Sequence, residues 1–196
     1  MGAIEPKTAE TARRAARSLE REALSGATRR LGPGPQPCYV DPMRIHITAV
    51  AGTGMGALAG LLKELGHDVS GSDVAFYPPM GPALEEWGIA LEHGFDRKHV
   101  QKPDGELGPE IIVVGNVCRK DNVEAVAAQE LGIPRFHIAD ALQKFALPQT
   151  APLVVAGTHG KTTTSSLVAH LLDRSGLEPG FLIGGVPSSL GKSFRA

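Results

Sequence analysis

A doubly wound parallel α/β sheet, followed by the opening of a second α/β unit, is the fold class this sequence predicts. Two observations carry that expectation. From residue 44 onward, short apolar runs such as "RIHITAV" and "IIVVG" alternate with helix-period segments such as "GALAGLLKELG". Such alternation calls for parallel strands joined by right-handed crossovers. In addition, two strand-to-helix connections are glycine turns, "AVAGTGMGALA" at 49–59 and "VVAGTHGKTTT" at 154–164.

The elements follow in order. Ile45 to Val50 reads as a strand and Met55 to Leu65 as a helix, with Met55, Leu58, Ala59, Leu62 and Leu65 on one face and Gly66 at the left-handed stop. His67 to Ser72 is the second strand, Ala83 to Trp87 a short helix, Ile89 to His93 a short strand and Ile111 to Gly115 a fully buried one. A helix over Asn122 to Leu131, a strand over Ile133 to His137 and a last short helix over Ile138 to Phe145 complete a domain spanning 43–147. "ALPQTAP" is the linker, and 148–196 opens the second unit. There Leu153 to Ala156 is a strand, Lys161 to about Arg174 a helix capped by Gly176, and "GFLIGG" the start of another strand.

Residues 1–42 differ in kind. "TAETARRAARSLEREALSGATRR" favours a solvated helix but has a thin apolar stripe, and the Pro-rich "LGPGPQPCYVDP" that follows breaks any helix. The arginines suggest a transit peptide, but Glu5, Glu10, Glu20 and Glu22 argue against one. A disordered or loosely helical extension is expected, with Met43 standing as an alternative start directly before the first strand.

Composition narrows the function. A net charge of −1 and 42% hydrophobic residues describe a globular chain without the basic surface that nucleic acid requires. No apolar run approaches the roughly 18 residues that span a bilayer. Neither nucleic acid nor membrane is therefore an expected partner. Cys38 and Cys118 lack CxxC spacing and read as two unpaired thiols in a reducing cytosol; no zinc-type cluster is expected.

The second glycine turn offers the clearer chemistry. Gly157, Thr158, His159, Gly160, Lys161, Thr162 and Thr163 form a shortened phosphate-binding loop at a helix amino terminus, where backbone amides and the helix dipole favour anions. Lys161 can reach the β- and γ-phosphates of ATP, and the Thr162 hydroxyl can ligate Mg²⁺. The full spacing wants a glycine where Val155 stands. His159 faces either solvent or phosphate.

The first turn matches Gly-x-Gly-x-x-Ala at Gly52, Gly54 and Ala57, and Asp73 follows about 20 residues on, as in Rossmann-like dinucleotide sites. Met55 is read as a core residue of its helix or a pocket residue, and Asp73 as a strand-end cap or a ribose ligand.

A Rossmann-like unit ending in "SGSD", with "AGTHGKTT" after it, resembles the Mur ligase family of ATP-dependent amide-forming enzymes of peptidoglycan synthesis. The resemblance covers residues 44–190. The "GTGM" turn and the histidine of "GTHGKTT" resemble the branch that binds UDP-N-acetylmuramate. Within it, "YPPM" (77–80), "GN" (115–116) and "IGGVP" (183–187) look most like the ligase that joins L-alanyl-γ-D-glutamyl-meso-diaminopimelate, a recycled murein peptide, to that nucleotide sugar. The sibling that adds L-alanine is the alternative.

The resemblance implies that Gly52, Thr53, Gly54 and Met55 line the uridine-diphosphate pocket, with Asp73 near the nucleoside and Asn116 at the carboxyl end of its strand. It implies that Gly157 to Thr163 hold ATP, with Lys161 the catalytic cation and Thr162 the Mg²⁺ ligand. It further implies a cytoplasmic enzyme that activates a carboxylate as an acyl phosphate for attack by an amine. Ala49 stands where the family usually has glycine, which implies a wider first turn. Family members run to roughly three domains, so this chain reads as an amino-terminal fragment, inactive alone. Two other classes compete: a non-catalytic UDP-sugar-binding module, and a nicotinamide oxidoreductase that would leave Gly160, Lys161 and Thr162 idle.

Overall fold

The computed structural model describes residues 41–102, 108–148 and 150–196. The extension over 1–40, with Cys38, lies outside them. Five parallel strands make the main sheet: β1 (Arg44–Thr48), β2 (Asp68–Asp73), β3 (Ala90–His93), β4 (Ile111–Val114) and β5 (Arg135–Phe136). Their spatial order is β3-β2-β1-β4-β5. Every neighbouring pair is parallel.

Helices α1 (Thr53–Glu64), α2 (Met80–Glu86) and α3 (Val123–Glu130) lie in the crossovers, a 3₁₀ turn spans Arg97–His99, and α4 (Ile138–Phe145) follows β5. The chain thus leaves β1 in one direction to build β2 and β3, then returns to place β4 on its other side. That reversal between β1 and β4 is a topological switch point, and in open sheets ligands bind outside the carboxyl ends of the strands there.

Strand alternation divides the core between the two faces. Ile45 and Ile47 of β1 point to the larger cluster, with Leu58 and Leu62 of α1, Val69, Leu84 and Val113. His46 and Thr48 point to the other face, where Val100, Ile112, Ala127 and Ala128 form a smaller cluster under α3. Helix α1 ends as its sequence directs. Gly66 takes φ +94 and its amide bonds the Lys63 carbonyl, while the His67 amide bonds that of Leu62.

Beyond the linker, α5 (Lys161–Arg174) follows the second glycine turn, and β6 (Phe181–Leu182) pairs antiparallel with β7 (Phe194–Arg195). The hairpin rests on α1. Phe194 is buried over Gly60, where a Cβ would overlap its ring, and meets Trp87 edge-on at 4.7 Å. Lys192 Nζ donates to Glu64 at 2.6 Å, and Arg195 donates to Asp173 of α5 at the same distance.

Two sequence expectations need correction. Leu153 to Ala156 forms no strand: no neighbouring strand pairs with it among the described residues, and Leu153 and Val154 stay 67% and 81% exposed. The "GFLIGG" segment enters a two-stranded hairpin instead of a parallel sheet.

Candidate functional site

The first glycine turn is built on strain at one position. Ala49, directly after β1, takes φ +61 and is buried, a conformation that costs an L-residue roughly 1–2 kcal/mol. The position expected to widen the turn therefore stays in the left-handed conformation that glycine adopts freely. The turn closes with a bond from the Gly52 amide to the Ala49 carbonyl at 3.5 Å. Gly52 is the N-cap of α1 and offers no side-chain cap, so the first amides of a twelve-residue helix face outward for an anion.

Asp73, at the end of β2, holds this turn. One carboxylate oxygen accepts the Ala51 amide at 3.0 Å and the other accepts Val74's at 2.7 Å. Gly115, after β4, donates its amide to the Thr48 carbonyl at 3.1 Å, and Asn116 follows it at the surface. A cleft of about 600 Å³ opens at these strand ends. Ala49, Asp73, Phe95, Val117, Arg119 and Asn122 are among the residues that line it.

The sequence expectations meet this cleft unevenly. Asp73 lines it, Gly52 and Thr53 stand exposed at the start of α1, and Gly54 is half-buried beside them. Met55 is half-buried and packs on the larger core cluster, the core role weighed for it. Asn116 precedes the lining residue Val117. Sequence reasoning missed Phe95, Arg119, Asp121 and Asn122. For the last three the signal was available, because "NVCRKDN" (116–122) lies just past β4 and the switch-point rule puts ligands there. Cys118, a free half-buried thiol, also lines the cleft, and burial followed by the charge of Glu124 pushes its pKa up.

Beneath the cleft lies a cluster that sequence reasoning did not find. Glu124, the second residue of α3, is fully buried. Its Oε2 accepts Thr48 Oγ1 at 2.9 Å and Ser72 Oγ at 2.6 Å. Its Oε1 accepts His99 Nδ1 at 2.7 Å and, more weakly, the Asp96 amide at 3.4 Å. His46 Nε2 stands 3.5 Å from the same oxygen, and its Nδ1 is 2.9 Å from Ser70 Oγ. Burial alone would raise the Glu124 pKa, but hydrogen bonds from His46, Ser72 and His99 overcome it and hold the carboxyl at about 2 against an ordinary 4.5. Asn122 starts the helix by accepting the amides of Glu124 and Ala125.

The second turn is open. Gly157 to Thr163 are exposed, Gly160 is the left-handed N-cap of α5, and the first α5 amides carry no side-chain cap. Lys161 Nζ donates to the carbonyls of Gly157 at 2.7 Å and Thr158 at 3.3 Å. His159 is exposed and its Nδ1 lies 3.2 Å from Thr158 Oγ1. A free set of amides, one cation and the Thr162 and Thr163 hydroxyls fit a nucleotide triphosphate with its metal. Among the described residues, no hydrogen bond joins this loop to the cleft.

A doubly wound parallel sheet with an uncapped glycine turn at its switch point, followed by a second glycine turn on its own helix, defines an α/β protein with a Rossmann-like sheet. The family model described as Mur ligase family, catalytic domain, matches residues 44–150, and the chain belongs to the Mur ligase family.

Among relatives, the UDP-N-acetylmuramate--L-alanyl-gamma-D-glutamyl-meso-2,6-diaminoheptandioate ligase of Escherichia coli K12 is 43% identical over 147 residues, 75% of this chain and 31% of that protein. The UDP-N-acetylmuramate--L-alanine ligase of a Roseiflexus species is 42% identical over 149 residues, 76% of this chain and 30% of its own. A crystal structure of the UDP-N-acetylmuramate:L-alanyl-gamma-D-glutamyl-meso-diaminopimelate ligase from Neisseria meningitides superposes with a TM-score of 0.73 at 42% identity, covering 79% of this chain and 46% of that one. The chain spans about a third of the length of the curated relatives it matches. Among the described residues no helix is long and apolar enough to cross a membrane.

Proposed function

We propose that this chain carries the nucleotide-sugar-binding part and the phosphate loop of an ATP-dependent ligase of peptidoglycan metabolism. In this reading residues 43–147 hold UDP-N-acetylmuramate and 148–196 open the ATP-binding domain. The observation that carries it is the cleft at the β1/β4 switch point, flanked by the uncapped start of α1, in a chain of this family.

The residues divide the work by their chemistry. The amides of Gly52 to Met55 meet the diphosphate, Arg119 supplies the cation that lines the cleft, and Asp73 keeps the turn in place while bordering the nucleoside. Lys161 and the α5 amides take the ATP phosphates, and Thr162 supplies a hydroxyl to Mg²⁺, which neutralises phosphate charge when bound. In the whole enzyme the lactyl carboxylate takes the γ-phosphoryl group with loss of ADP, and an amine then displaces phosphate to leave the amide.

The acceptor chemistry is read as the murein tripeptide. Support comes from "YPPM" and "IGGVP" and from the structural likeness to the Neisseria enzyme. The L-alanine ligase is the second reading, favoured by its nearly equal identity to this chain. Calorimetry with UDP-N-acetylmuramate and with NAD tests the cleft on the 196-residue chain. Binding of the muramate nucleotide with none of NAD is expected; equal or tighter NAD binding overturns the reading. Phosphate release by the full-length enzyme with tripeptide against L-alanine decides the acceptor, and release with neither would leave a binding module.

A further inference from the structure

The carboxylate of Glu124 is buried beneath the cleft, and besides His46 and His99 its partners each stand one residue short of the cleft wall. Thr48 precedes Ala49, Ser72 precedes Asp73, Asp96 follows Phe95, and Glu124 itself follows Val123. Those four neighbours all line the cleft. Four separate segments of its wall, from the ends of β1 and β2, the start of the 3₁₀ turn and the start of α3, therefore meet on one side chain.

We propose that Glu124 is a positioning residue that sets the shape of the nucleotide-sugar cleft by pinning these four segments to one another. The inference rests on the reading of the cleft as a UDP-sugar site, and deepens it. The physical argument is the donor count. An ionised carboxylate only accepts, and Thr48, Ser72, His99 and the Asp96 amide present four donors to its two oxygens. The Ser72 bond, at 2.6 Å, has the length of a charge-assisted O–H···O⁻ contact. Ser72 then carries the constraint to Asp73, which holds the Ala51 amide, so the glycine turn is fixed through two carboxylates in series. His46 and His99 wall the group in, with their rings 6.0 Å apart.

A metal ion is the competing use of the same atoms, since His46, His99 and Glu124 each offer a ligand atom within 4.8 Å of the others. The hydrogen bonds favour the brace, because all three are already paired among themselves and with Ser70, Ser72 and Thr48.

Glu124→Gln tests the proposal on the 196-residue chain. Glutamine keeps the shape but removes the charge and leaves one accepting oxygen where the carboxylate offered two to its four donors. The expected result is about a tenfold loss of UDP-N-acetylmuramate affinity. With no ligand present, hydrogen exchange should rise at 49–55, 72–74, 95–96 and 117–123, while the centres of β1 and β4 stay protected. Ser72→Ala, which removes one donor and keeps the charge, should give a smaller version of the same pattern and serves if the glutamine variant does not fold. Exchange that rises evenly across the sheet, or affinity and exchange both unchanged, overturns the proposal. So does a purified wild-type chain holding one transition metal per molecule whose chelation reproduces the variant's pattern. If the wild-type chain binds no muramate nucleotide while exchange still rises in the four segments alone, the brace stands and the ligand reading fails.

Discussion

Lys161 turns its ammonium back onto the loop it follows, donating to the Gly157 carbonyl at 2.7 Å. The side chain at the head of α5 thus ties the shortened turn to its own helix start through two backbone carbonyls.

Lys161→Ala should leave UDP-N-acetylmuramate binding intact, because no hydrogen bond joins the loop to the cleft among the described residues. In a full-length enzyme it should remove about 2–4 kcal/mol of transition-state stabilisation, on the order of 10²–10³ in rate. Phosphate release measured beside nucleotide-sugar calorimetry checks both halves. Full turnover in the variant would sink the proposed role of Lys161.

Ala49 makes a second test, of the first turn. A β-branched side chain at φ +61 is a severe outlier, so Ala49→Val should lower stability by about 2–3 kcal/mol. Ala49→Gly should stay within about 1 kcal/mol of the parent, because relief of strain is offset by the lost buried methyl and the freer unfolded chain. Denaturant midpoints decide. A valine variant as stable as the parent would mean that the turn readily leaves the left-handed region.

Acidification should destabilise the fold in two stages. Burial lowers the His67 pKa from 6.5, and its Nδ1 accepts the Met43 amide, so the unfolded chain takes up a proton first as pH drops below about 6.5. Glu124, held at about 2, contributes stability that is fully present above about 4.5 and is lost as pH falls from there toward 2. That second stage is on the order of 3 kcal/mol and should vanish in Glu124→Gln. Thermal melts from pH 8 to pH 2 read both stages; a flat wild-type profile below pH 4.5 would contradict the ionised, hydrogen-bonded state of Glu124.

Gly60 and Phe194 supply the fourth test. Gly60→Ala forces the ring out of its seat and should cost about 1–3 kcal/mol, whereas the same change in a Phe194→Ala background should cost much less. A double-mutant cycle with no coupling would show that the hairpin does not rest on α1.

The elements that sequence reasoning placed best were those with local punctuation. Ile138–Phe145 matches the expected helix at both ends, and Lys161–Arg174 begins at the expected residue and ends about where expected, because Gly160 and Gly176 mark its ends. The first turn and Asp73 were legible for the same reason, as a fixed pattern of glycines and an acid over some twenty residues. Leu153 to Ala156 misled because apolarity records a wish for burial and says nothing of which strand will provide it. Glu124 was invisible. In "NVEAVAAQE" it looks like a solvated helix residue, and its partners sit 25 to 76 positions away, on elements that only the folded sheet brings under it.

The seat of Phe194 over Gly60 also bears on inheritance. A glycine that accommodates one aromatic ring across 134 positions couples the two sites one way: no side chain can be added at 60 while the ring at 194 keeps its seat. Hybrids that join residues 43–147 of one lineage to the phosphate-loop segment of another should therefore succeed only where the recipient helix keeps the notch. Breeding a new specificity by swapping the front of such a protein would have to carry position 60 and position 194 as a pair.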